Sequence, residues 1–312
     1  MPDFDRLPTQ NLELGNKGLE VRKLYEYLKR FGYFPNDALS DFRNWQPAID
    51  NDIEDPEHFD ENLATAVRLF QEQNGLKRDG AVGPKTLALI ATPRCGVPDV
   101  VHAAAGPLPF VASGYSWDNL SLTYSFVNTG ADRTAAEVRA AVRGAFDRWS
   151  AVSPLRFNEV VGASDIQIGW YSGNHGDGNA FDGSGNVLAH CFSPPPGGGS
   201  FSGDVHFDEA ETWTVDTPPR GIDLATVALH EIGHGLGLNH SSDTSSVMFA
   251  SYVGMRRDLT PDDIAGISAI YGGRRQPFPV ISWGPGRLDI FGLGLDRQMY
   301  HRAWENGWYP SP

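Results

Sequence analysis

Between His230 and His240 the chain places three imidazoles and one carboxylate at spacings that suit a metal ion. On a helix, His230 and His234 leave the same face, so both reach one tetrahedral Zn²⁺ while the adjacent Glu231 leans toward the open coordination position. Gly237 lets the chain leave that helix through a left-handed backbone, cheap only for glycine, and the exit swings His240 back as third ligand. Such a set of fixed positions is hard to obtain by accident: residue frequencies of roughly one in twenty give on the order of one chance match per ~10⁴ chains of this length. The earlier run Pro93-Arg94-Cys95-Gly96-Val97-Pro98-Asp99 offers a thiol that could plug the site. Together the two stretches read as a zinc-dependent protease made with its own inhibitor.

The elements that must position these groups are legible as periodicities. Leu224, Val227, Ala228, Ile232 and Leu236 predict a half-buried helix from about Asp223 to Leu238 that carries the site. Leu120 to Val127 and Asp165 to Tyr171 alternate as strands. Arg133 to Val152 reads as a long helix with Val138, Ala141, Val142 and Phe146 inward, and Pro261 to Tyr271 as a further helix. Strands with interspersed helices and long loops indicate an α+β fold with a mixed sheet behind the metal helix. Upstream, Val21, Leu24, Tyr25, Leu28 and Phe31 before Gly32, then Leu63, Val67 and Phe70 before Gly75, mark two amphipathic helices. Pro84 opens a third with Leu87 and Ile90. The expected organisation is a tail over 1–14, a three-helix unit over 15–92, the thiol segment over 93–99 and an exposed linker over 100–117 that takes an activating cut. A catalytic domain over 118–273 and a short β-rich segment over 274–312 complete it.

At 312 residues and 40% hydrophobic content the chain supports two or three globular units. Lys plus Arg total 25 against 39 Asp plus Glu, and the net charge of −14 argues against a nucleic-acid partner. No run is long enough to cross a bilayer, and Met1 to Gln10 lacks a signal-peptide pattern, so an exported product would have its signal outside these residues. Two cysteines cannot form a disulfide framework; Cys191, beside Ala189, His190 and Phe192, reads as a small buried hydrophobe.

His230, Glu231, His234, Gly237, His240 and Ser241, with Met248 beyond, resemble a metzincin of the matrixin (matrix metalloproteinase) group, and residues 93–99 resemble that family's cysteine switch. The run Phe59 to Leu87 resembles the peptidoglycan-binding-like domain that forms the family's prodomain. Ile281 to Phe291, with Tyr300-His301 and Trp304 to Trp308, looks like one repeat of a lectin-like β-propeller, whose aromatics suggest a glycan contact. The resemblance implies a zinc endopeptidase in which Glu231 acts as general base and Met248 floors the metal site. It implies that Cys95 holds the fourth zinc position in a latent form, with Arg94 and Asp99 paired across the cleft. Tyr252 and the loop Val253 to Asp258 would border the substrate pocket, although Ala250 stands where the family usually has proline.

The resemblance also assigns a structural zinc to His175, Asp177, His190 and His206. A first calcium falls to Asp182, Gly183, Gly185, Val187, Asp208 and Glu211, and a second to Asp165, Ser200, Ser202 and Asp204, beside a Pro194 to Gly199 run that departs from the family's loop. The cut N-terminus would dock on Asp262 or Asp263. The implied setting is secretion and extracellular, matrix-type protein or peptide substrates. Rival readings are a cell-wall or glycan-binding protein, and a wall-lytic peptidase targeted by its N-terminal domain.

Overall fold

The computed structural model describes residues 7–39, 45–99, 110–216, 220–273, 280–284, 287–293, 299–305 and 308–309. Residues 1–6 of the expected tail, 100–109 of the expected linker and 274–279 lie outside the described residues. The chain divides into two compact units, Met1–Gly273 and Arg274–Pro312.

In the first unit, helices α1 (Leu19–Arg30), α2 (Glu61–Gln73) and α3 (Pro84–Ile90) come first. Each has a local reason to start. Asp60 caps α2 by accepting from Leu63 N at 2.8 Å, and Pro84 sits in the first turn of α3, where its missing N–H costs nothing. Their apolar faces meet around Phe31, Phe34, Phe59, Phe70, Val82 and Ile90, all buried. Phe181 and Val187, from far along the chain, belong to the same cluster, so the helices share a core with the remainder of the unit.

Strand β1 (Arg94–Cys95) follows, then β2 (Val111–Ala112), β3 (Ser121–Phe126), helix α4 (Ala135–Val152), β4 (Arg156–Glu159), β5 (Ile166–Tyr171), β6 (Val187–Cys191) and β7 (Val205–Asp208). Short strands β8 (Trp213–Thr214) and β9 (Ile222–Asp223) lead to helix α5 (Leu224–Gly235), strand β10 (Leu238–Asn239) and helix α6 (Pro261–Tyr271). The main sheet has the order β1-β6-β7-β5-β3-β4, parallel throughout except for the antiparallel β6–β7 pair. A mixed sheet backed by helices is the α+β arrangement that the periodicities indicated. α4 starts at a capping box between Thr134 and Glu137 and buries Val138, Val142, Ala145, Phe146 and Trp149, a stripe at helical spacing.

Three details differ from the sequence reading. The metal helix stops at Gly235, not Leu238, because Leu236 and Gly237 fold back onto Ile232 and His234 and Leu238–Asn239 pair with β2. It is also buried at every position except Ala225 instead of on one face, since it packs against α4 and against strands β6 and β7 of the sheet. Strands β4 and β7 have no counterpart in the sequence reading: Val205-His206-Phe207-Asp208 alternates apolar and polar, but over only four residues, and all four are buried, so its polar members His206 and Asp208 do not mark a solvent face.

The second unit, described by itself, is an antiparallel meander of β11 (Val280–Gly284), β12 (Arg287–Leu293), β13 (Met299–Glu305) and β14 (Trp308–Tyr309). Its buried Asp289 pairs with Arg287 at 2.9 Å and His301 at 2.6 Å.

Trp149 joins α4 to the metal helix: it is fully buried and its Nε1–H donates to Leu229 O at 3.0 Å. Replacing it with alanine is expected to cost about 3–5 kcal/mol of unfolding free energy in urea titrations, and a loss below about 1 kcal/mol would contradict this packing role.

Candidate active site

Helix α5 is held at its start by Asp223, whose carboxylate accepts from Thr226 N at 3.0 Å and from Arg257 Nε at 3.0 Å. Ten residues after Asp223, Gly233 faces Met248: a Cβ there would lie 2.4 Å from Met248 Sδ and 3.0 Å from the Trp149 ring, so glycine lets that thioether pack directly against the helix. Past the helix Gly237 adopts φ 97°, and a Cβ at that position would meet Tyr115 O at 2.3 Å. The left-handed turn therefore serves both chain direction and close approach, and it returns His240 to the helix.

Each of the three imidazoles is oriented through its Nδ1. His230 Nδ1–H donates to Val247 O at 2.7 Å, His234 Nδ1–H to Leu238 O at 2.7 Å, and His240 Nδ1–H to Asp99 Oδ1 at 2.8 Å. With Nδ1 protonated, each neutral ring presents a bare Nε2 lone pair. His230 Nε2 and His234 Nε2 lie 3.1 Å apart, and His240 Nε2 is buried without a hydrogen-bond partner. Two acceptors at that separation repel unless a cation lies between them, so the donor set fits Zn²⁺. Burial lowers His230 to about 3 and His234 well below its ordinary value, which keeps both rings neutral and available as ligands.

Glu231 is fully buried, with Oε1 unpartnered and burial pushing its pKa up to about 8. Cys95 Sγ stands 3.5 Å from Glu231 Oε2, and one atom each of Cys95, His230, His234 and His240 lies within 4.8 Å of all the others. The Cys95 segment runs as an added strand between β6 and residues 250–252. Arg94 N donates to Asn186 O at 2.7 Å, Gly96 N to Ala189 O at 2.8 Å, Cys95 N to Ala250 O at 3.0 Å, and Tyr252 N to Pro93 O at 2.7 Å. Arg94 is buried, its guanidinium 3.7 Å from the Phe31 ring centroid and 2.7 Å from Asp99 Oδ1, while Tyr33 donates to Asp99 Oδ2 at 3.1 Å. Burial alone would raise Asp99, but Arg94 and then His240 outweigh it and hold the carboxyl far below its usual range. A narrow cavity beside this segment is lined by Leu188, Thr226, Val227, Val247, Tyr252 and Arg256. The Tyr252 hydroxyl accepts from Asp223 N at 3.0 Å.

A second group converges nearby. His175 Nε2, His190 Nε2 and His206 Nδ1 all lie 2.7–2.8 Å from one oxygen, Asp177 Oδ2. His175 Nδ1–H is spent on Gly173 O at 2.9 Å, so its bare Nε2 faces both that oxygen and His206 Nδ1 at 3.1 Å, again an arrangement suited to a cation. In the loop between them, Asp182 Oδ1 accepts from Val187 N at 3.2 Å and Glu211 Oε1 from Gly185 N at 2.6 Å. Gly183 and Gly185 have positive φ, which turns the loop carbonyls. Asp208 accepts from Ala210 N at 2.9 Å through Oδ1, and its Oδ2 is buried without a partner. The remaining candidates are engaged separately. Asp165 accepts from Thr123 N at 2.7 Å, Asp204 from Gln167 N at 2.7 Å, and Ser202 donates to Gly199 O at 2.9 Å; Ser200 lies in a short 3₁₀ turn.

The matrixin family profile matches residues 116–272, and a peptidoglycan-binding domain profile matches residues 17–90. The chain belongs to the matrixin family. It is 38% identical to metalloendoproteinase 1-MMP of Arabidopsis thaliana, over 86% of this chain and 73% of that protein. It is 42% identical to matrilysin of Rattus norvegicus, over 67% and 77%, and 40% identical to the hatching enzyme of Paracentrotus lividus, over 84% of this chain but only 40% of the longer relative. This matrixin is thus a metalloendopeptidase, and its His230, His234 and His240 cluster is compatible with the zinc that the family binds.

Sequence reading missed several residues of the matrixin site. Phe31 and Tyr33 hold Arg94 and Asp99; Phe31 reads as the last apolar position of a helix and Tyr33 lies beyond its end, and no local signal links either to a segment more than sixty positions away. Asp223 could have been found, since a capping residue just before an apolar helical run is a recognisable start. Replacing Gly237 with alanine is expected to displace His240 and loosen the metal. Chelator competition should show zinc affinity reduced by at least tenfold, and an unchanged affinity would count against the turn's role.

Proposed function

We propose that this matrixin is a latent endopeptidase for extended protein or peptide substrates, secreted in its working state, with residues 93–99 as the switch that keeps it inactive. One observation carries the reading: the Cys95 segment is hydrogen-bonded along the edge of β6 and along residues 250–252, with its sulfur brought to the three imidazoles. An edge that accepts this strand accepts another extended peptide once the strand leaves, and main-chain pairing of that kind places a peptide bond beside Glu231. The cavity walled by Leu188, Val227 and Tyr252 would then take a neighbouring substrate side chain.

His230, His234 and His240 would hold Zn²⁺, which supplies Lewis acidity toward water and a carbonyl group. Glu231 takes a proton from the attacking water and returns it to the leaving amine. Its buried carboxylate has a proton affinity raised toward the working pH, which suits both transfers. The Asp223 cap, the Gly233–Met248 contact and the Val247 and Leu238 carbonyls fix the orientation of the ligands. In the latent chain Cys95 occupies the position that water needs, and the buried Arg94–Asp99 pair locks its segment in place.

The convergence on Asp177 supports a closed structural zinc site of His175, Asp177, His190 and His206. The Asp182, Asp208 and Glu211 carboxylates with the Gly183, Gly185 and Val187 backbone support one calcium; Asp165, Ser200, Ser202 and Asp204 have weaker support for a second. For the cut N-terminus, Asp262 is favoured over Asp263. Asp263 is buried and already accepts from Val247 N, Met248 N and Thr260 N, whereas Asp262 is half-buried and bonded to Ser241 Oγ at 2.7 Å. The four antiparallel strands described between Val280 and Tyr309 support reading that segment as one propeller blade, and the rival glycan-binding and wall-lytic readings have no use for a buried general base beside a thiol.

After cleavage of the linker, Glu231→Ala is expected to lower kcat/KM on a peptide substrate by 10²–10⁴ while retaining zinc, and full proteolysis in that variant would remove the mechanism. Cys95→Ser should cleave itself without an activating protease; an intact and equally inactive variant would count against the switch. Incubation with EDTA should abolish activity and also lower the melting temperature, whereas lost activity at an unchanged melting temperature would speak against the structural metal sites.

A further inference from the structure

Arg30, the last residue of α1, reaches the glycine-rich loop: its Nη1 lies 2.8 Å from Asp182 Oδ2, 152 positions along the chain. The Asp182 side chain is 2% exposed, and both its oxygens are engaged, Oδ2 also by Asn186 Nδ2 at 3.1 Å and Oδ1 by Val187 N at 3.2 Å. Around it stand Glu211 and the fully buried Asp208, whose Oδ2 has no partner. Three buried carboxylates, one of them with an orphaned oxygen, suit a hard divalent cation. The helical N-terminal part therefore places a guanidinium on a carboxylate that such a cation also needs.

We propose that Arg30 couples docking of the N-terminal helices to cation binding in the 182–187 loop. With α1 docked, the guanidinium occupies Asp182 and weakens the loop's affinity for Ca²⁺. Because a coupling free energy is reciprocal, bound Ca²⁺ weakens the hold of α1 by the same factor, and removal of the N-terminal part tightens calcium. The sign follows from charge. A cation taking Asp182 must share the carboxylate with a donor of like sign, since both oxygens are already bonded. The Arg30 side chain is 38% exposed, so solvent screens it and the expected effect is about three- to tenfold in affinity. The inference rests on reading this loop as a calcium site.

The test uses the full-length chain carrying Glu231→Ala, which prevents self-cleavage. Tb³⁺ bound in the loop is sensitised by Trp213, whose Nε1–H donates to Asp208 O at 2.8 Å, and Ca²⁺ is titrated to displace it. Arg30→Gln should tighten Ca²⁺ about three- to tenfold, while Arg30→Lys, which keeps the charge, should stay near the parent value. Equal or weaker affinity in Arg30→Gln, with a signal that Asp208→Asn abolishes, would overturn the coupling and leave the calcium site standing. Emission that Asp208→Asn does not change would remove the calcium site and the coupling with it.

Discussion

Three imidazole lone pairs directed at one point inside a buried site form an arrangement that the polypeptide alone does not favour. His230 and His234 present Nε2 to Nε2 at 3.1 Å, and both are held there from behind by backbone carbonyls that accept their Nδ1 protons. Those carbonyls belong to Val247 and Leu238, so the segments that carry them must be fixed to a fraction of an ångström. Asp263 provides part of that fixation: buried at the start of α6, it accepts from Thr260 N, Val247 N and Met248 N and thereby ties the loop beneath the metal helix to the last helix. A single cation at the focus converts the mutual repulsion of the ligands into binding energy, and much of the catalytic part of the unit is arranged to keep the ligands from escaping it.

The same focus explains why the proposed latency has the form it does. Burial and the neighbouring Glu231 raise Cys95 well above its ordinary pKa, and burial raises Glu231. Left to themselves the two groups favour thiol and acid, a weakly interacting pair. A divalent cation inverts that preference by stabilising the thiolate, so the plug is strong only when there is a metal to plug. The buried Arg94–Asp99 pair is a costly device for holding a loop, because both charges leave water. Its cost is offset by full satisfaction: Asp99 receives Arg94, Tyr33 and His240, and Arg94 stacks on Phe31. Asp99 thereby acts on His240 as well as on the proposed switch, a double use that makes the position of residues 93–99 and the orientation of His240 interdependent.

What the sequence disclosed depended on whether the signal was local. The spacing of His230, Glu231, His234, Gly237 and His240 fits within three helical turns and an exit, so the chemistry was readable at once. α1, α2, α4 and α6 were likewise readable from one-sided apolar periodicity and caps. β7 and the true end of α5 were not, because four alternating residues are too short a run to stand out from loop and the helix stop depends on pairing of Leu238–Asn239 with Val111–Ala112. The contacts of Phe31 and Tyr33 with the switch, and of Arg30 with Asp182, are tertiary consequences of docking two helical surfaces onto a sheet edge. Each of these residues ends or follows α1, where an aromatic or an arginine looks like an ordinary terminus. The candidate cation loops fall between these cases: their histidines and carboxylates could be recognised as a set, but which atoms converge depends on backbone turns at Gly183 and Gly185.

The sharing of one hydrophobic cluster between the N-terminal helices and the catalytic part sets the terms on which the proposed switch can open. Phe181 and Val187 are buried in the cluster that contains Phe31, Phe59 and Phe70, so complete departure of the helices exposes apolar surface on both sides, in addition to breaking the Arg94–Asp99 lock. The Cys95 contact is thus one of several attachments. While residues 100–117 remain intact, a segment that leaves the cleft stays at the high effective concentration set by its tether and returns readily. Cutting that stretch leaves every contact unchanged and removes only the tether, so that dissociation becomes diluting and hard to reverse. On the proposed reading, this is the physical reason activation requires a broken peptide bond instead of a ligand: no contact needs to be weakened if the return path is abolished.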